Sequence, residues 1–593
     1  MTARRSTLLR ALAALGLVAV SSPEAAAGPS SNQAHGAHAF HAAAGAGAVD
    51  LTPDEVEGLV EELGPWFERF VDVARGAAEP ASLGTAFRAV AHPDVRRARE
   101  IDPEKDAYLD VPWWTLAPST DWVKIPSVLR GDGDVHVHLK VVGARGVADA
   151  AELDLRIEAE RRSHVSEAAT GQATLHARLT LERMGDRWIP LTATLDAIEG
   201  TQRTGQPLFV ERTRGLFAHD AAAAEVLAVG MDRLAARLDD PGLTAWFGHQ
   251  GLAAGDLTGD GRPDLYVGMP AGVPNMLLVQ QPDGTVVDRA RDFGLAWLDD
   301  TKGVVLDDVT GDGVVDALSA LGHVIVVQPG VARGANDAAA PLAVFGWCVA
   351  PDEAPFYSIA TTDLDGDGLH EIFGTRYVTT RYVDSMPVPF DEARNGPENC
   401  LFRFDGQRYR EFTRSAGLVD GEGGRFSLAA SFVDATGDGR DDLYVVNDFG
   451  SNQLFVRADG EGVRFVERGV QLGLADPGAG MGASWGDVDL DGDLDVYVTN
   501  MFSSAGQRVA FRDAFGEGLD ASRIAGARML TEGSALYVQD GDRFRPAESV
   551  VPGLVPSMGR WGWGGILVDA DCDGYDDVVA PAGFLTGPKP GDL

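Results

Sequence analysis

Cysteine is scarce in this chain. Only 3 of the 593 residues are cysteine, too few for a framework of disulfides. Cys348 and Cys400 are candidates for a single pair in an oxidising compartment, or for two free thiols, while Cys572 lies inside an acidic segment and is predicted to be left over. The fold must therefore depend on a packed core, for which a hydrophobic content of 45% is ordinary.

Basic side chains are also few. Lys and Arg number 50 against 89 Asp and Glu, which gives a formal net charge of -39. Nucleic acid and anionic membrane surfaces carry charge of the same sign and are repelled at short range. This balance excludes both as partners and favours cations.

Long apolar runs are missing after the first residues. Residues 1–27 have a basic start, a short apolar stretch and small residues at Ala25 and Ala27, the pattern of a signal peptide. No later run approaches the ~18 apolar residues of a membrane span. We therefore expect a secreted, periplasmic or otherwise extracytoplasmic protein without membrane insertion, in which the Gly/Ala-rich residues 28–50 form a flexible linker.

Residues 51–204 are predicted to form an N-terminal α+β region. A capping-box motif at Thr52 opens an amphipathic helix. Alternating apolar and polar residues between 135 and 197 predict an antiparallel meander that the helix covers. His136 and His138 project from one face of a strand. They are either a metal-binding pair or, as we favour, the solvent-facing side.

One acidic motif is repeated six times within residues 205–593. In every copy the first and fifth residues are Asp, the third is Asp or Thr, the sixth is Gly and the ninth is acidic. The six copies are "DLTGDGRPD" from Asp256, "DVTGDGVVD" from Asp308, "DLDGDGLHE" from Asp363, "DATGDGRDD" from Asp434, "DVDLDGDLD" from Asp487 and "DADCDGYDD" from Asp569.

This spacing is that of a calcium loop. Alternate side chains of a tight turn converge, glycine permits the bend, and the seventh residue offers its carbonyl. Oxygen donors suit calcium rather than zinc or copper. The candidate metal ligands are Asp256, Thr258, Asp260, Arg262, Asp264, Asp308, Thr310, Asp312, Val314, Asp316, Asp363, Asp365, Asp367, Leu369, Glu371, Asp434, Thr436, Asp438, Arg440, Asp442, Asp487, Asp489, Asp491, Asp493, Asp495, Asp569, Asp571, Asp573, Tyr575 and Asp577.

The loops are predicted to join strands rather than helices. None has the glutamate at the twelfth place that helix-flanked calcium loops require, and strand-like segments such as "VYVT" follow them. A second signature ends in Gly-Leu at Leu295, Leu418, Leu474 and Leu554, and together the two predict a repeated four-stranded unit with the loop between its first and second strands. An early copy ending at Leu216 is predicted to complete the last unit.

These loops, with stretches such as "VVNDFGSNQLF" and "MGASWGDVDLDGDLDVYVTN", resemble FG-GAP and VCBS repeats. They are similar to integrin α-like calcium propellers and to the cartilage acidic protein (ASPIC/UnbV-associated) group. The resemblance covers roughly residues 205–593 and implies a mainly β fold, a β-propeller. Six loop-bearing repeats are present, whereas such propellers usually have about seven blades. We favour seven, with the sheet of residues 135–197 as one candidate for the unmarked blade.

The same resemblance implies an extracellular recognition or adhesion module with up to six Ca²⁺ ions, mainly structural, and a protein or glycan as partner. The alternative is a calcium-dependent polysaccharide lyase or hydrolase on the same scaffold. A convergent set of Asp, Glu, Lys or His in the central funnel would favour the enzyme, and an aromatic or polar face would favour a partner site.

Two further sequence features bear on that choice. "GASWG", from Gly482, matches the G-x-S-x-G motif of hydrolases, but a calcium loop follows where a helix is needed, so Ser484 is predicted to be a strand residue. Trp485, Trp561 and Trp563 lie near acidic loops, where they either stack on sugars or line the ring.

Overall fold

The computed structural model describes a mainly β chain. It divides into two compact units, one with the described residues 49–202 and Ala510 and the other with the remaining described residues from 212 to 581. The structure describes residues 49–50, 53–75, 77–83, 88–97, 134–147, 150–162, 169–202, 212–228, 251–331, 342–378, 387–388, 392–419, 423–460, 462–503, 506, 510, 521–550, 561–570 and 574–581. The proposed signal peptide lies outside them.

The N-terminal unit is a six-stranded sheet with one long helix. Its order is β1-β3-β4-β5-β6-β2, in which only β2 and β6 run parallel. The strands are β1 (Val49–Asp50), β2 (Arg88–Arg97), β3 (Asp134–Val147), β4 (Ala150–Arg162), β5 (Ala169–Met184) and β6 (Arg187–Gln202), and the helical segments are α1 (Pro53–Ala74) and a 3-10 turn (Pro80–Leu83).

The predicted packing of helix on meander is confirmed. Leu59, Leu63 and Phe70 of α1 are buried in one cluster with alternate residues of β4 and β5, such as Leu155 and Leu179. The alternation places one face of each strand under the helix. The edge strand β2, parallel to β6, is not foreseen in the sequence.

This sheet is built differently from the sheets that carry acidic loops. It has six strands, one of them parallel, and belongs to a separate compact unit. These features argue against residues 135–197 as a propeller blade. His136 and His138 are exposed, as expected for the solvent-facing side of β3.

In its described residues, the C-terminal unit forms five antiparallel sheets, each made of four strands consecutive in sequence, and one two-stranded sheet. Every acidic loop joins the first and second strand of its sheet, as predicted. The strands are β7 (Leu252–Gly255), β8 (Asp264–Val267), β9 (Met276–Gln280), β10 (Val286–Asp288), β11 (Thr301–Asp307), β12 (Asp316–Leu321), β13 (Val324–Gln328), β14 (Gly346–Val349), β15 (Phe356–Thr362), β16 (Glu371–Arg376), β17 (Cys400–Phe404), β18 (Tyr409–Glu411), β19 (Ser427–Val433), β20 (Asp442–Asn447), β21 (Gln453–Arg457), β22 (Phe465–Glu467), β23 (Gly480–Gly486), β24 (Asp495–Asn500), β25 (Ala535–Asp540), β26 (Arg543–Pro546), β27 (Ile566–Val568) and β28 (Asp577–Val579).

The first strands of successive sheets lie beside one another, from β7 through β11, β15, β19 and β23 to β27. Glycine permits this close approach. A Cβ on Gly251 would lie 2.7 Å from the backbone nitrogen of Val304, and one on Gly303 would lie 3.0 Å from the carbonyl oxygen of Tyr357. These first strands, called the inner strands from here on, therefore pack closely against one another.

The Gly-Leu signature lies where the chain turns back into the hydrophobic core. Gly473 ends a short helix at a φ of +87°, and Leu474 behind it is fully buried. The Tyr444 hydroxyl donates a 3.2 Å hydrogen bond to the Leu474 carbonyl and accepts one of 3.0 Å from Asn452 Nδ2. The short helices of this unit are α2 (Thr213–Leu216), α3 (Ala221–Ala228), α4 (Ala290–Phe293), α5 (Gly469–Leu472), α6 (Ala521–Glu532) and α7 (Ala547–Val550).

The same arrangement recurs at Tyr266. Its hydroxyl donates a hydrogen bond of 3.2 Å to the Leu295 carbonyl and accepts one of 3.1 Å from Asn275 Nδ2. In these two copies, the signature ties the second strand of a sheet to the segment that leaves that sheet. Residues 203–211, which precede the early copy's Leu216, and residues 551–560, with Leu554, lie outside the described residues.

Cys348 and Cys400 are buried free thiols in one apolar cluster. The disulfide that the sequence left open is not formed, and Cys572 lies outside the described residues. Among the helices that the structure describes, none is long and apolar enough to cross a membrane.

Candidate metal centres and a central cavity

The first aspartate of each acidic loop organises the turn. Asp308 Oδ1 accepts a 3.0 Å hydrogen bond from the Asp312 amide, and its Oδ2 accepts one of 2.7 Å from the Gly313 amide. The fifth residue then accepts from the amide of the seventh, at 2.9 Å from Val314 to Asp312 Oδ1. The loops at Asp256, Asp434 and Asp487 repeat these bonds.

The ninth residue anchors the loop to the sheet. Asp264 is fully buried at the start of β8. Its Oδ2 accepts from the Thr258 amide at 3.0 Å, and its Oδ1 accepts from the Gln280 amide on the third strand at 3.2 Å. Asp495 likewise accepts 2.9 Å bonds from the Val488 and Gln539 amides. This group, predicted only as a metal ligand, also joins the loop to the third strand.

Burial makes these ninth-place carboxyls poor acids in the structure. It raises the pKa of Glu371 to about 7 and that of Asp495 to about 6, despite the backbone hydrogen bonds that lower both values. The pKa of Asp264 and that of Asp316 are raised by burial as well. A cation beside these groups would favour their ionised form.

Two loops bring three carboxylates together. One ligand oxygen from each of Asp487, Asp489 and Asp491 lies within 4.8 Å of the others, and the same holds for Asp363, Asp365 and Glu371. Burial, followed by the neighbouring Asp491, raises the pKa of Asp493 to about 6. Both loops belong to the three in which the sequence places an acid at the third position.

In the loops with threonine at the third position, the threonine hydroxyls also suit the role of metal ligand. The Oγ1 atoms of Thr258, Thr310 and Thr436 are buried and make no hydrogen bond with the described residues. Each hydroxyl lies near enough to the ninth-place carboxyl to lower its pKa. Buried polar atoms without a partner are costly, and a metal ion would satisfy them.

Two of the threonine loops carry their own cation. Arg262 pairs with Asp260, and Arg440 Nη2 lies 2.7 Å from Asp438 Oδ2. Arg440 also donates a 3.1 Å hydrogen bond to the Ala458 carbonyl. The seventh residue, predicted only for its carbonyl, thus adds positive charge at the predicted site.

The sixth loop follows the same pattern where it is described. Asp569 Oδ2 accepts from the Gly574 amide at 3.0 Å, and Asp577 Oδ2 accepts from the Ala570 amide at 3.1 Å. Asp571 and Asp573 lie outside the described residues, so this loop is described without its third and fifth positions.

A cavity of about 350 Å³ lies at the amino ends of the inner strands, away from the acidic loops. It is lined from the first strand, or the residues next to it, of all six sheets. These residues include Gly251, Lys302, Tyr357, Leu428, Met481 and Trp563. The acidic loops follow the carboxyl ends of these strands, whereas the cavity lies at their amino ends.

The tryptophans singled out in the sequence have different roles. Trp561 and Trp563 are stacked, with centroids 6.0 Å apart and ring planes at 8°, and Trp563 reaches the cavity. Trp485 instead packs edge-on against Tyr444, while its Nε1 donates 2.9 Å to Ser431 Oγ. The strand assignment of Ser484 is confirmed, because this residue lies in β23.

Several buried polar residues have no simple sequence signal. Lys302 lines the cavity with an exposure of 2%. The Tyr377 hydroxyl donates a hydrogen bond to Asp448, and burial raises the pKa of that carboxyl to about 7. Asp476 accepts 2.9 Å from Asn500 Nδ2 in a similarly buried place.

The fold and the loops together define a β-rich repeat protein whose repeat carries an acidic strand-to-strand loop. The FG-GAP repeat family model matches residues 247–287, and that of the FG-GAP-like repeat matches residues 434–498. The chain therefore contains FG-GAP repeats, and these two segments include the loops at Asp256, Asp434 and Asp487. A search of curated proteins gave no significant match.

Proposed function

We propose that the C-terminal unit is a calcium-stabilised β-propeller that serves an exported protein as an extracellular recognition or adhesion module. The observation that carries the proposal is the convergence of Asp487, Asp489 and Asp491 within 4.8 Å. The donor set of carboxylates, threonine hydroxyls and carbonyls is all oxygen, which suits a hard cation of flexible coordination.

The role proposed for calcium is structural. Without a cation the clustered carboxylates repel one another, which raises the free energy of the folded state. With a dissociation constant of ~0.1 mM, as in extracellular modules, millimolar calcium stabilises each loop by ~1.4 kcal/mol. Six such sites would contribute roughly 8 kcal/mol, similar to the whole stability of a domain.

The circular arrangement is supported by the cavity, because the first strands of five sheets, and Trp563 before the first strand of the sixth, contribute to one lining. Closure of a ring removes exposed sheet edges. The count of seven blades, and completion of the last sheet by the segment that ends at Leu216, stay predictions.

The lining of the cavity supports recognition over catalysis. Within the described lining, Lys302 is the one charged side chain, and its partner Asp300 lies outside that lining. General acid and base pairs need a second titratable group there. The lyase or hydrolase alternative predicts turnover of a polysaccharide, which an assay of polymer length measures directly.

A melting experiment with calcium removal and return tests the proposal. We expect the melting temperature of the C-terminal unit to fall in EDTA and to recover when calcium is restored, while magnesium restores less. Native mass spectrometry should count up to six bound calcium ions. Unfolding that is insensitive to EDTA, together with a mass free of calcium, would contradict the proposal.

A further inference from the structure

One residue of the cavity wall, Lys302, carries positive charge, and its acidic partner Asp300 lies outside the lining. Lys302 Nζ lies 3.2 Å from Asp300 Oδ2 and 5.7 Å from the centre of the Tyr357 ring. Asp300 does not line the cavity, whereas Lys302 does. The cavity wall therefore includes an ammonium group that is paired with Asp300, in a chain that is strongly acidic as a whole.

Burying this ammonium group works against its charged form. Lys302 is 2% exposed, and desolvation lowers its pKa, opposed by Asp300. A buried cation is costly compared with a well-packed apolar side chain. Its position at the wall of a cavity gives it a use, because a ligand anion placed there would recover part of that cost.

The rest of the lining suits a flat or ring-shaped ligand. The exposed lining is mainly polar, and its aromatic and long apolar residues include Tyr357, Trp563, Leu428 and Met481. Trp563 is stacked on Trp561, and Tyr357 packs edge-on against Tyr377 at 5.3 Å, so both rings are supported from behind. A volume of about 350 Å³ is at the small end of ligand sites and has room for one six-membered ring with its substituents.

We propose that this cavity binds a small carboxylate built on a single six-membered ring, with the carboxylate at Lys302 and the ring against Tyr357 and Trp563. Uronic sugars and aromatic acids share this chemistry. The net charge of -39 opposes an anion in general, but exposed charges more than about 8 Å from the site are largely screened at physiological salt. The inference rests on the proposed recognition role and specifies its ligand.

Isothermal titration of the full-length, calcium-loaded protein tests the inference. The probes are D-glucuronate and benzoate, each paired with its uncharged counterpart, glucose and benzyl alcohol. We expect at least one acid to bind saturably and its counterpart to bind about tenfold more weakly or worse, the effect of one charge-assisted hydrogen bond. The arm that binds more tightly identifies a sugar or an aromatic ligand.

Two variants separate charge from shape. Lys302→Met keeps the length of the side chain and should weaken binding of the acid about tenfold while leaving the neutral counterpart unchanged. Leu428→Phe partly fills the cavity and should weaken both members of the pair. Lys302→Arg is the control that keeps the charge, and melting curves with calcium establish that each variant is folded.

Three outcomes would overturn the inference: no saturable binding of either acid, equal binding of acid and counterpart, or undiminished acid binding by folded Lys302→Met. If Lys302→Met does not fold, undiminished acid binding by Leu428→Phe overturns it instead. The proposed calcium role is measured separately as the EDTA effect on melting. Failure of ligand binding in a protein that calcium stabilises therefore counts against this inference alone.

Discussion

Arg440 forms an ion pair with an aspartate of its own acidic loop, with Nη2 at 2.7 Å from Asp438 Oδ2. This guanidinium also contacts Asp459 at 3.2 Å. A fixed cation beside a calcium loop opposes the entry of a second cation. The loop at Asp434 should therefore bind calcium more weakly than the loop at Asp487, whose seventh residue is Asp493.

We predict that Arg440→Gln raises the calcium affinity of the loop at Asp434 by about twofold to fivefold, the range of one exposed ion pair. Calcium titration followed by native mass spectrometry measures the change. Arg410→Gln is the matched control, because Arg410 pairs with Asp405 in a hairpin outside the acidic loops. Equal affinities in the two variants would show that Arg440 does not compete with the ion.

Asp489 should have opposite effects on stability with and without calcium. Burial raises the pKa of its carboxyl, and the neighbouring charges of Asp491 and Asp487 raise it further by repulsion. We predict that Asp489→Asn raises the melting temperature in EDTA and lowers it in millimolar calcium, with about tenfold weaker binding at that loop.

Paired melting curves of wild type, Asp489→Asn and Asp542→Asn test this crossing. Asp542 is an exposed turn residue outside the acidic loops, so its variant controls for the loss of one negative charge. A shift of the same sign in both conditions would argue against a cation at this loop.

The pair of Tyr377 and Asp448 predicts a pH dependence. Burial raises the pKa of Asp448 to about 7, well above that of an exposed Asp, and the hydrogen bond from Tyr377 lowers it in part. The folded state therefore holds the proton more tightly than the unfolded chain. The stability from this group is full below about pH 4 and is lost as the pH rises through about 7.

Chemical denaturation in EDTA between pH 4 and 8 measures this loss. Asp448→Asn should flatten the pH dependence, whereas Tyr377→Phe should steepen it, because removal of the hydrogen bond raises the pKa of Asp448 further. Identical pH profiles for Asp448→Asn and wild type would exclude this carboxyl as their source.

The two buried thiols should be inert in the native protein. Burial raises the pKa of Cys348 well above its ordinary value and that of Cys400 to about 12, although Arg376 lowers the latter in part. Thiolates are the reactive species, so we predict that a disulfide-forming thiol reagent modifies Cys348 and Cys400 only after denaturation. We also expect reducing agents to leave the melting temperature unchanged. A drop in melting temperature under dithiothreitol would reveal a disulfide instead.

Much of the repeat was predictable because its signals are local. Nine residues with fixed acids and glycine specify a turn whose hydrogen bonds close within that segment, as at Asp308, Asp312 and Gly313. The absence of a twelfth-place glutamate, together with the strand-like segments that follow the loops, placed the loops between strands. Ser484 was assigned to a strand because a calcium loop follows it where the hydrolase motif needs a helix.

Features that depend on distant segments were not predictable. Lys302 has an ordinary surface-type sequence context, and only the meeting of six inner strands makes it a cavity residue. The second bond of the ninth-place acids depends on the third strand, which for Asp495 arrives 44 residues later at Gln539. The parallel pairing of β2 with β6 is likewise non-local.

Each four-stranded sheet uses strands that follow one another in the chain. No member is borrowed across sheets within these five. Duplication or loss of one such stretch of the gene would therefore add or remove a whole sheet without changing the strand pairing within the others. The size of the molecule can therefore change in steps of one whole sheet.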